Sequence, residues 1–421
     1  MEKITVHKFG GASVKDAASV RNVGQLVSTL PGKKIIIVSA IGKTTNALEK
    51  IIDLRWNNLP VEAELNQIFA LHESISKELS LEQNLWKNYF SELKATLSKE
   101  KSNLYDEAYD EIIGFGELLS TQIISEHFNQ IQIENTWIDS AQFVKTDYRY
   151  RDARIDWDAS QQAFNHIPEF QTLIAQGFIG STPTNQRTSL GREGSDFSAA
   201  IAAYLCNAQS VTIWKDVPGL LNGDPKCFTP THLLEEISFR EAVELAYYGA
   251  SVIHPRTVKP LQNKNIPLYI KSFLHPEGKG TTIHEKESND RSVSSYILKQ
   301  NQTLISIATK DFSFVVEDNL TEIFSAFSHL GIHVHMMENS ALNFSACVAC
   351  SEEKIKALID QLPKFHIRYN TNLAILTIRH PNKMVVDQLL QHKEILMEQR
   401  NRSTSRYVVR GKWILPEPVK V

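Results

Sequence analysis

Residues 4–27 read ITVHKFGGASVKDAASVRNVGQLV. A short strand pattern runs into Lys8, Phe9, Gly10, Gly11, Ala12 and Ser13, and a helical pattern then begins. Working outward, ITVHKF, SVRNVGQLVSTL, KKIIIVSA and TTNALEKIIDL alternate as strand, helix, strand and helix. Such alternation predicts a parallel sheet covered by helices. Helical periodicity dominates residues 60–130, including EIIGFGELLSTQIISEHF. The strand–helix alternation then resumes to about residue 270 through GFIGSTP, SDFSAAIAAYL, SVTIWKDVPGL, REAVELAYYGASVI and IPLYIKSF. One doubly wound, open and mainly parallel α/β domain over residues 1–284 fits this order.

At 421 residues the chain is long enough for two or three domains with proper cores. A hydrophobic share of 42% with 22% charged residues is that of an ordinary soluble globular protein, and a net charge of −3 leaves no basic excess for nucleic acid. The longest apolar runs, IIIVSAI and SAAIAAYLC, fall short of a bilayer span, and the N-terminus lacks a secretory apolar region. Four cysteines give no disulfide framework, so a cytoplasmic setting is expected. Cys347 and Cys350 form a C-x-x-C in the strand-like LNFSACVAC, where positions three apart point to opposite faces, so buried strand cysteines are expected rather than a redox or zinc pair.

The polar stretch HEKESND (284–290) reads as a linker. Beyond it, TLISIATK, NLTEIFSAFSHLG, IHVHMM, NFSACVAC, EEKIKALIDQL and FHIRYN give the order βαββαβ, a ferredoxin-like unit over about 301–370. A shorter echo over about 371–415 follows: strand LAILTIRH, a helix through MVVDQLLQHKEIL, and a strand in SRYVVR. The C-terminal region, 291–421, is thus expected to hold one small α/β module and a partial second copy.

Three clusters carry the chemistry. SAIGKTTN contains Gly42-Lys43-Thr44, the tail of a Walker A loop, but the glycine that motif needs five residues earlier is Ile37, inside a β run. The opening stretch fits a phosphate better. Gly10 and Gly11 let backbone N–H groups face an anion, the following helix brings its N-terminal partial charge, and Lys8 adds an ammonium at the strand's end. Alone, these residues read equally as a simple turn beside a solvated lysine. A second cluster, TSLGREGSDFSAAIAAYL, places Arg192, Ser195 and Asp196 in a glycine-rich turn before a small-residue helix. Capping accounts for one of Ser195 and Asp196, but not for an arginine fork suited to a carboxylate. In the third, TIWKDVPGLLNGDPK, a strand ends in Lys215-Asp216 and a Pro-Gly turn leads to Asp224-Pro225-Lys226. The carboxyl edge of such strands is where open α/β sheets bind ligands.

Together and in this order, KFGGAS (8–13), SAIGKTTNAL (39–48), GFGELLS (114–120), GFIGST (177–182), LGREGSD (190–196), WKDVPGLLNGDPK (214–226) and YYGASVIHPRTVKPLQNKNIPLYIKS (247–272) resemble the aspartate kinases of the amino-acid kinase superfamily. The C-terminal region is similar to the ACT domains with which those enzymes sense end-product amino acids. The resemblance implies an amino-acid-kinase-type sheet and ATP-dependent phosphorylation of the β-carboxylate of L-aspartate to 4-phospho-L-aspartate, the first step toward lysine, threonine and methionine. It implies that Lys8 stabilises the transferring phosphoryl group beside the Gly10–Gly11 backbone. Ser39, Thr45 and Ser195 would lie near aspartate, Glu117 would pair with its ammonium, and Arg192 would clamp its α-carboxylate. Asp196 would orient the lysines. Lys215, Asp216, Leu221 and Asp224 would hold ribose and adenine, Lys226 would reach the phosphates, and magnesium would bind mainly through phosphate oxygens.

The sequence departs from that pattern at Ala12, Lys215, Leu221 and Lys226, where a threonine, a threonine, an aromatic residue and an arginine are usual. These changes bear on the nucleotide and leave Glu117 and Arg192 in place. MMENSALNFS (336–345) aligns with the ACT turn that holds an effector, so Asn339 and Ser340 are the expected contacts for lysine or threonine, and self-association through the ACT-like region is expected. Two other readings stand beside this one: a superfamily kinase for a glutamate-type acceptor, and a non-catalytic amino-acid sensor.

Overall fold

The computed structural model describes residues 3–250, 253–287, 290–291, 293–311 and 313–410, and the backbone of 419–420. Ser288 and Asn289 of the expected linker, and positions 411–415 of the expected second module, lie outside the described residues. The chain divides into two compact units, Met1–Leu220 with Leu233–Tyr247 and Ser251–Asp290, and Leu221–His232 with Tyr248–Ala250 and Arg291–Val421.

The first unit begins with β1 (Thr5–Phe9), α1 (Ala17–Thr29), β2 (Lys34–Val38) and α2 (Thr44–Trp56). Four helices follow: α3 (Glu62–Glu78), α4 (Trp86–Ser98), α5 (Tyr105–Ile113) and α6 (Phe115–Gln130). Then come β3 (Thr136–Trp137), α7 (Trp157–Phe164), β4 (Thr172–Gln176), the hairpin of β5 (Ile179–Ser181) and β6 (Arg187–Ser189), α8 (Gly194–Cys206) and β7 (Ser210–Lys215). After β8 (Phe228–Thr229), which belongs to the second unit, the first is completed by β9 (Glu236–Ser238), α9 (Phe239–Tyr248), α10 (Pro255–Asn263), β10 (Leu268–Ser272) and β11 (Thr281–His284). Among the described residues its main sheet is eight-stranded, ordered β3-β4-β2-β1-β7-β10-β11-β9. Only β10 and β11 pair antiparallel. The sheet is therefore open and mainly parallel.

β2 is buried along its whole length and β1 along all but its first residue, as central strands of a sheet covered on both faces should be; β1 buries His7 and Lys8 as well as Val6 and Phe9. α6 is buried from Phe115 to Phe128, all round rather than along one stripe, which marks an interior helix. The alanine-rich α8 is buried from Gly194 to Ala203 and packs closely against α10 and β1, because its small side chains let neighbouring backbones approach. Asp290, in the segment expected to be a linker, is anchored: it accepts hydrogen bonds from the Ser238 N–H (2.7 Å) and Oγ (2.5 Å).

The second unit adds β12 (Ser295–Thr309), α11 (Glu317–His329), β13 (Val334–Asn339), β14 (Asn343–Val348), α12 (Glu352–Gln361) and β15 (Phe365–Arg379). These reproduce the expected βαββαβ order. α13 (Lys383–Leu390), β16 (Ile395–Arg400) and β17 (Thr404–Arg410) follow, and β18 (Val419–Lys420) pairs with β8. The helix expected through Leu396 is corrected here: it ends at Leu390, His392 turns the chain with φ 61°, and Ile395–Arg400 form an edge strand. The six-stranded antiparallel sheet runs β13-β14-β12-β15-β17-β16. β12 and β15 are long enough to serve two ferredoxin-like halves, and each crosses between them at an asparagine with positive φ, Asn301 and Asn372. Cys347 lies buried in β14, where burial pushes its thiol up to about 12, and Cys350 sits past the strand's end. No helix of the described residues is long and apolar enough to cross a membrane.

Candidate active site

β1 and β7 are adjacent parallel strands, registered with Lys8 opposite Ile213. Their carboxyl ends therefore bring Lys8 and Lys215 to the same edge of the sheet. Asp196, in the first turn of α8, meets both: Lys8 Nζ lies 2.6 Å from Oδ1 and Lys215 Nζ 3.3 Å from Oδ2. A carboxylate only 2% exposed would be costly without such partners. Burial, the largest influence, would raise the Asp196 carboxyl, but the two lysines outweigh it and hold it below the ordinary value. This trio is a fixed, desolvated cluster of net positive charge.

The same edge carries a cavity of about 310 Å³, lined by Lys8, Ser39, Thr45, Glu117, Phe178, Gly191, Glu193, Gly194, Ser195, Asp196 and Lys215. Glu117 reaches it from the first turn of α6. A Cβ at Gly116 would come within 2.9 Å of the Ala40 Cβ, so glycine there lets α6 approach the loop after β2. That approach allows the Ala40 N–H to donate to Glu117 Oε1 at 3.2 Å. Oε2 is buried with no hydrogen-bond partner among the described residues. Burial pushes the Glu117 carboxyl up to about 8, against the Ala40 N–H and the Lys8 charge, which lower it. A deeply buried acid with one free oxygen is suited to an incoming cation.

The glycine turn differs in detail from the sequence expectation. Neither Gly10 nor Gly11 has a positive φ; Gly42 does, at 55°. Gly11 is needed for close approach, since a Cβ there would sit 3.0 Å from the Ala40 carbonyl and 3.2 Å from that of Gly42. A Cβ on Gly10 would lie 3.3 Å from Lys8 Nζ, so the turn leaves the ammonium uncovered. The expected helix dipole is corrected: a 3₁₀ turn over Gly11–Val14 follows, and α1 starts only at Ala17, with Asp16 already accepting the Ser19 N–H at 2.7 Å. First-turn residues of α8 (Gly194, Ser195 and Asp196), α2 (Thr45) and α6 (Glu117) line the cavity instead.

Arg192 is exposed and has no ion pair among the described residues, on the turn that supplies Gly191 and Glu193 to the cavity wall. That turn is held from several sides. Asp110 of α5, 1% exposed, accepts from the N–H groups of Arg151 (2.9 Å) and Ser189 (2.8 Å) and from Ser189 Oγ (2.6 Å). Arg256 donates to the Leu190 carbonyl at 3.1 Å while paired to Asp152. The N-cap of α8 is neither Ser195 nor Asp196 but Glu193. Asp216 lies exposed just past the end of β7.

The remaining candidates belong to the second unit. Leu221 is half-buried, and Asp224 and Lys226 are exposed on the loop before β8, where Asp224 Oδ1 accepts the Lys226 N–H at 2.9 Å. Asn339 and Ser340 are exposed at the β13–β14 hairpin, where the Ser340 N–H donates to the Asn343 carbonyl at 2.8 Å. Sequence reasoning missed Phe178, Glu193 and Asp110. The signal for Glu193 was a glutamate flanked by glycines one residue away on one side and two on the other.

An open parallel sheet whose strand-end lysines converge on one buried aspartate beside a glycine turn defines a class, and comparison with known proteins gives it a name. The model of the amino acid kinase family matches residues 3–272, so the chain belongs to that family. It is 30% identical over 410 residues to the chloroplastic aspartokinase 1 of Arabidopsis thaliana, covering 93% of this chain and 72% of that one. It is also 30% identical over 396 residues to the chloroplastic bifunctional aspartokinase/homoserine dehydrogenase 1 of Zea mays, covering 88% of this chain but only 42% of the longer protein. Within the family, the chain's place is with the aspartokinases. The E. coli aspartokinase III structure with lysine and aspartate has a TM-score of 0.80 at 24% identity, covering 97% of this chain and 96% of that one. The structure of that enzyme with aspartate and ADP gives 0.77 at 23%, with the same coverage. These two likenesses concern the fold.

Proposed function

We propose that the chain transfers the γ-phosphoryl group of ATP to the β-carboxylate of L-aspartate, giving 4-phospho-L-aspartate, with residues 1–284 as the catalytic region and 291–421 as a regulatory one. The observation that carries this is the joining of the Lys8–Asp196–Lys215 cluster and the half-satisfied Glu117 in a single cavity. Glu117 takes the substrate ammonium, Arg192 the α-carboxylate, and Ser39, Thr45 and Ser195 supply hydroxyls around it. Lys8, with the Gly10 and Gly11 backbone, neutralises the phosphoryl group in transit, Lys226 serves the phosphates, and Lys215, expected at the ribose and adenine, joins it there because its ammonium is paired with Asp196 beside Lys8. Asp216, Leu221 and Asp224 take ribose and adenine.

The chemistry asks little of the protein beyond charge and position. A β-carboxylate oxygen, already ionised at neutral pH, forms a bond to the γ-phosphorus while the bond to the bridging oxygen breaks and ADP leaves. No general base is required. Phosphoryl transfer of this kind is catalysed by alignment and by neutralising charge on the equatorial oxygens. Asp196 holds both lysines in place before substrates arrive, so little reorganisation accompanies the reaction. Magnesium would come with the nucleotide, held through phosphate oxygens and water; both oxygens of Asp196 are engaged by lysines.

Lysine is a ligand of the E. coli enzyme, and we assign an effector role to Asn339 and Ser340 by their place in the hairpin. The sheet edges at β13 and β16 support self-association of the regulatory region. The supply of ATP and free aspartate suits a cytoplasmic setting.

An ADP-release assay across aspartate, glutamate, N-acetylglutamate and a nucleoside monophosphate tests this reading. Aspartate should lead glutamate by about 10- to 200-fold in kcat/KM, the range one methylene commands. The same assay with lysine or threonine added should show inhibition that Asn339→Ala relieves. Preference for glutamate would move the chain to another branch of the family, and no turnover with any acceptor would leave the sensor reading.

A further inference from the structure

We propose that Glu193 is a second carboxylate for the acceptor's ammonium and thereby selects acceptors with a free α-amine. The proposal rests on the reading of the cavity as an aspartate site. Glu193 occupies φ 53°, ψ 27°, a left-handed conformation that glycine adopts freely and other L-residues rarely do. An unfavourable backbone held at a functional site calls for a reason in its side chain. Capping is not that reason: Glu193 stands at the N-cap of α8, yet its side chain makes no capping hydrogen bond.

Its carboxylate instead belongs to the cavity. Glu193 lines the same space as Glu117, and Oε2 of each is buried without a hydrogen-bond partner among the described residues. Neither cavity lysine is paired to them; Lys8 and Lys215 are both on Asp196. Two buried carboxylate oxygens therefore share one cavity, and neither side chain has an ion pair among the described residues. A primary ammonium offers three N–H donors. Glu117 and Glu193 accept two of them, and a hydroxyl of Ser39 or Thr45, which line the same cavity, accepts the third. An acylated amine supplies neither the charge nor the donors, so it leaves both side chains without the partner they would share.

Glu193→Gly and Glu193→Gln in the full chain test the assignment, with Glu117→Gln as reference and succinate, aspartate without its amine, as a competitive probe. Loss of one charge-assisted hydrogen bond should raise the KM for aspartate about tenfold or more in both Glu193 variants, while the KM for ATP stays within about twofold. Inhibition by succinate should be unchanged or stronger. Glu193→Gly should melt no lower than the parent, since glycine suits the backbone. An unchanged aspartate KM in both Glu193 variants, with Glu117→Gln impaired, overturns this proposal alone. If Glu117→Gln is equally silent, the ammonium pocket itself is misassigned. Parallel weakening of aspartate and succinate would also overturn it, because that pattern reports a distorted turn rather than a lost ammonium contact.

Discussion

Lys8→Ala should lower kcat by about 10²- to 10³-fold, the usual consequence of removing one preorganised charge contact at a reacting centre. The KM for aspartate should stay within about threefold, because its proposed contacts are Glu117, Arg192 and neighbouring hydroxyls. The reasoning follows from the trio's geometry. Lys8 Nζ and Lys215 Nζ lie on opposite oxygens of Asp196, so deleting one leaves a buried carboxylate with half its compensation. Such a deletion costs about 3–5 kcal/mol when the remaining charge stays unpaired, and Lys215 limits the damage. A lower melting temperature is therefore expected, and the kinetics must be measured where circular dichroism shows the variant folded. Folded Lys8→Ala turning over within twofold of the parent would show that Lys8 does not serve the phosphoryl group.

Glu117 gives the second large effect. With its carboxyl pushed up to about 8 by burial, most of it is protonated at pH 7 in the empty cavity. Pairing with an ammonium requires the ionised form, so aspartate binding should expel a proton. The sign is definite. Below about pH 8, kcat/KM for aspartate should rise with pH, approaching tenfold per unit at the acid end, and level off above it. Glu117→Gln should abolish that slope and raise the KM for aspartate by about 30-fold or more, as truncating one side of a buried charge pair costs about 2–5 kcal/mol. The KM for ATP should not follow. A parent profile flat between pH 6 and 8 would mean that Glu117 is ionised in the free enzyme or remote from the ammonium. In the fold itself the raised value works the other way: stability from the neutral acid is complete below about 4.5 and is lost as pH rises through about 8.

Much of this arrangement was legible because it follows from continuous patterns. The Ile35–Val38 run of β2 and the alanine-rich α8 carry their burial in their composition, whereas α6 is buried all round although it carries Glu117, Gln122, Glu126 and His127. What escaped depends on single backbone angles or on distant partners. The apolar spacing of Val385, Val386, Leu389 and Leu390 continues through Ile395 and Leu396 as though one helix ran on, and a left-handed histidine at 392 gives no glycine to mark the break. Asp16 as the cap of α1, six residues beyond Gly10, was masked by the 3₁₀ turn between them. Asp110 could not be singled out, since its partners Arg151 and Ser189 lie 41 and 79 residues away. Of the candidate residues, Lys8, Ser39 and Lys215 meet in one cavity because the order of β2, β1 and β7 places them there, whereas Gly10, Gly11 and Asp216 at the same sheet edge do not line it. Leu221, Asp224 and Lys226 follow a chain segment that packs with the second unit, which no local pattern announces.

The most direct test of the central assignment is a crystal structure of the full chain with ADP and aspartate. The diphosphate should rest on the Gly10–Gly11 turn within reach of Lys8, with the aspartate ammonium at Glu117 and its β-carboxylate directed toward the phosphates. A diphosphate bound away from Gly10 and Gly11, or an ammonium turned away from Glu117, would contradict it.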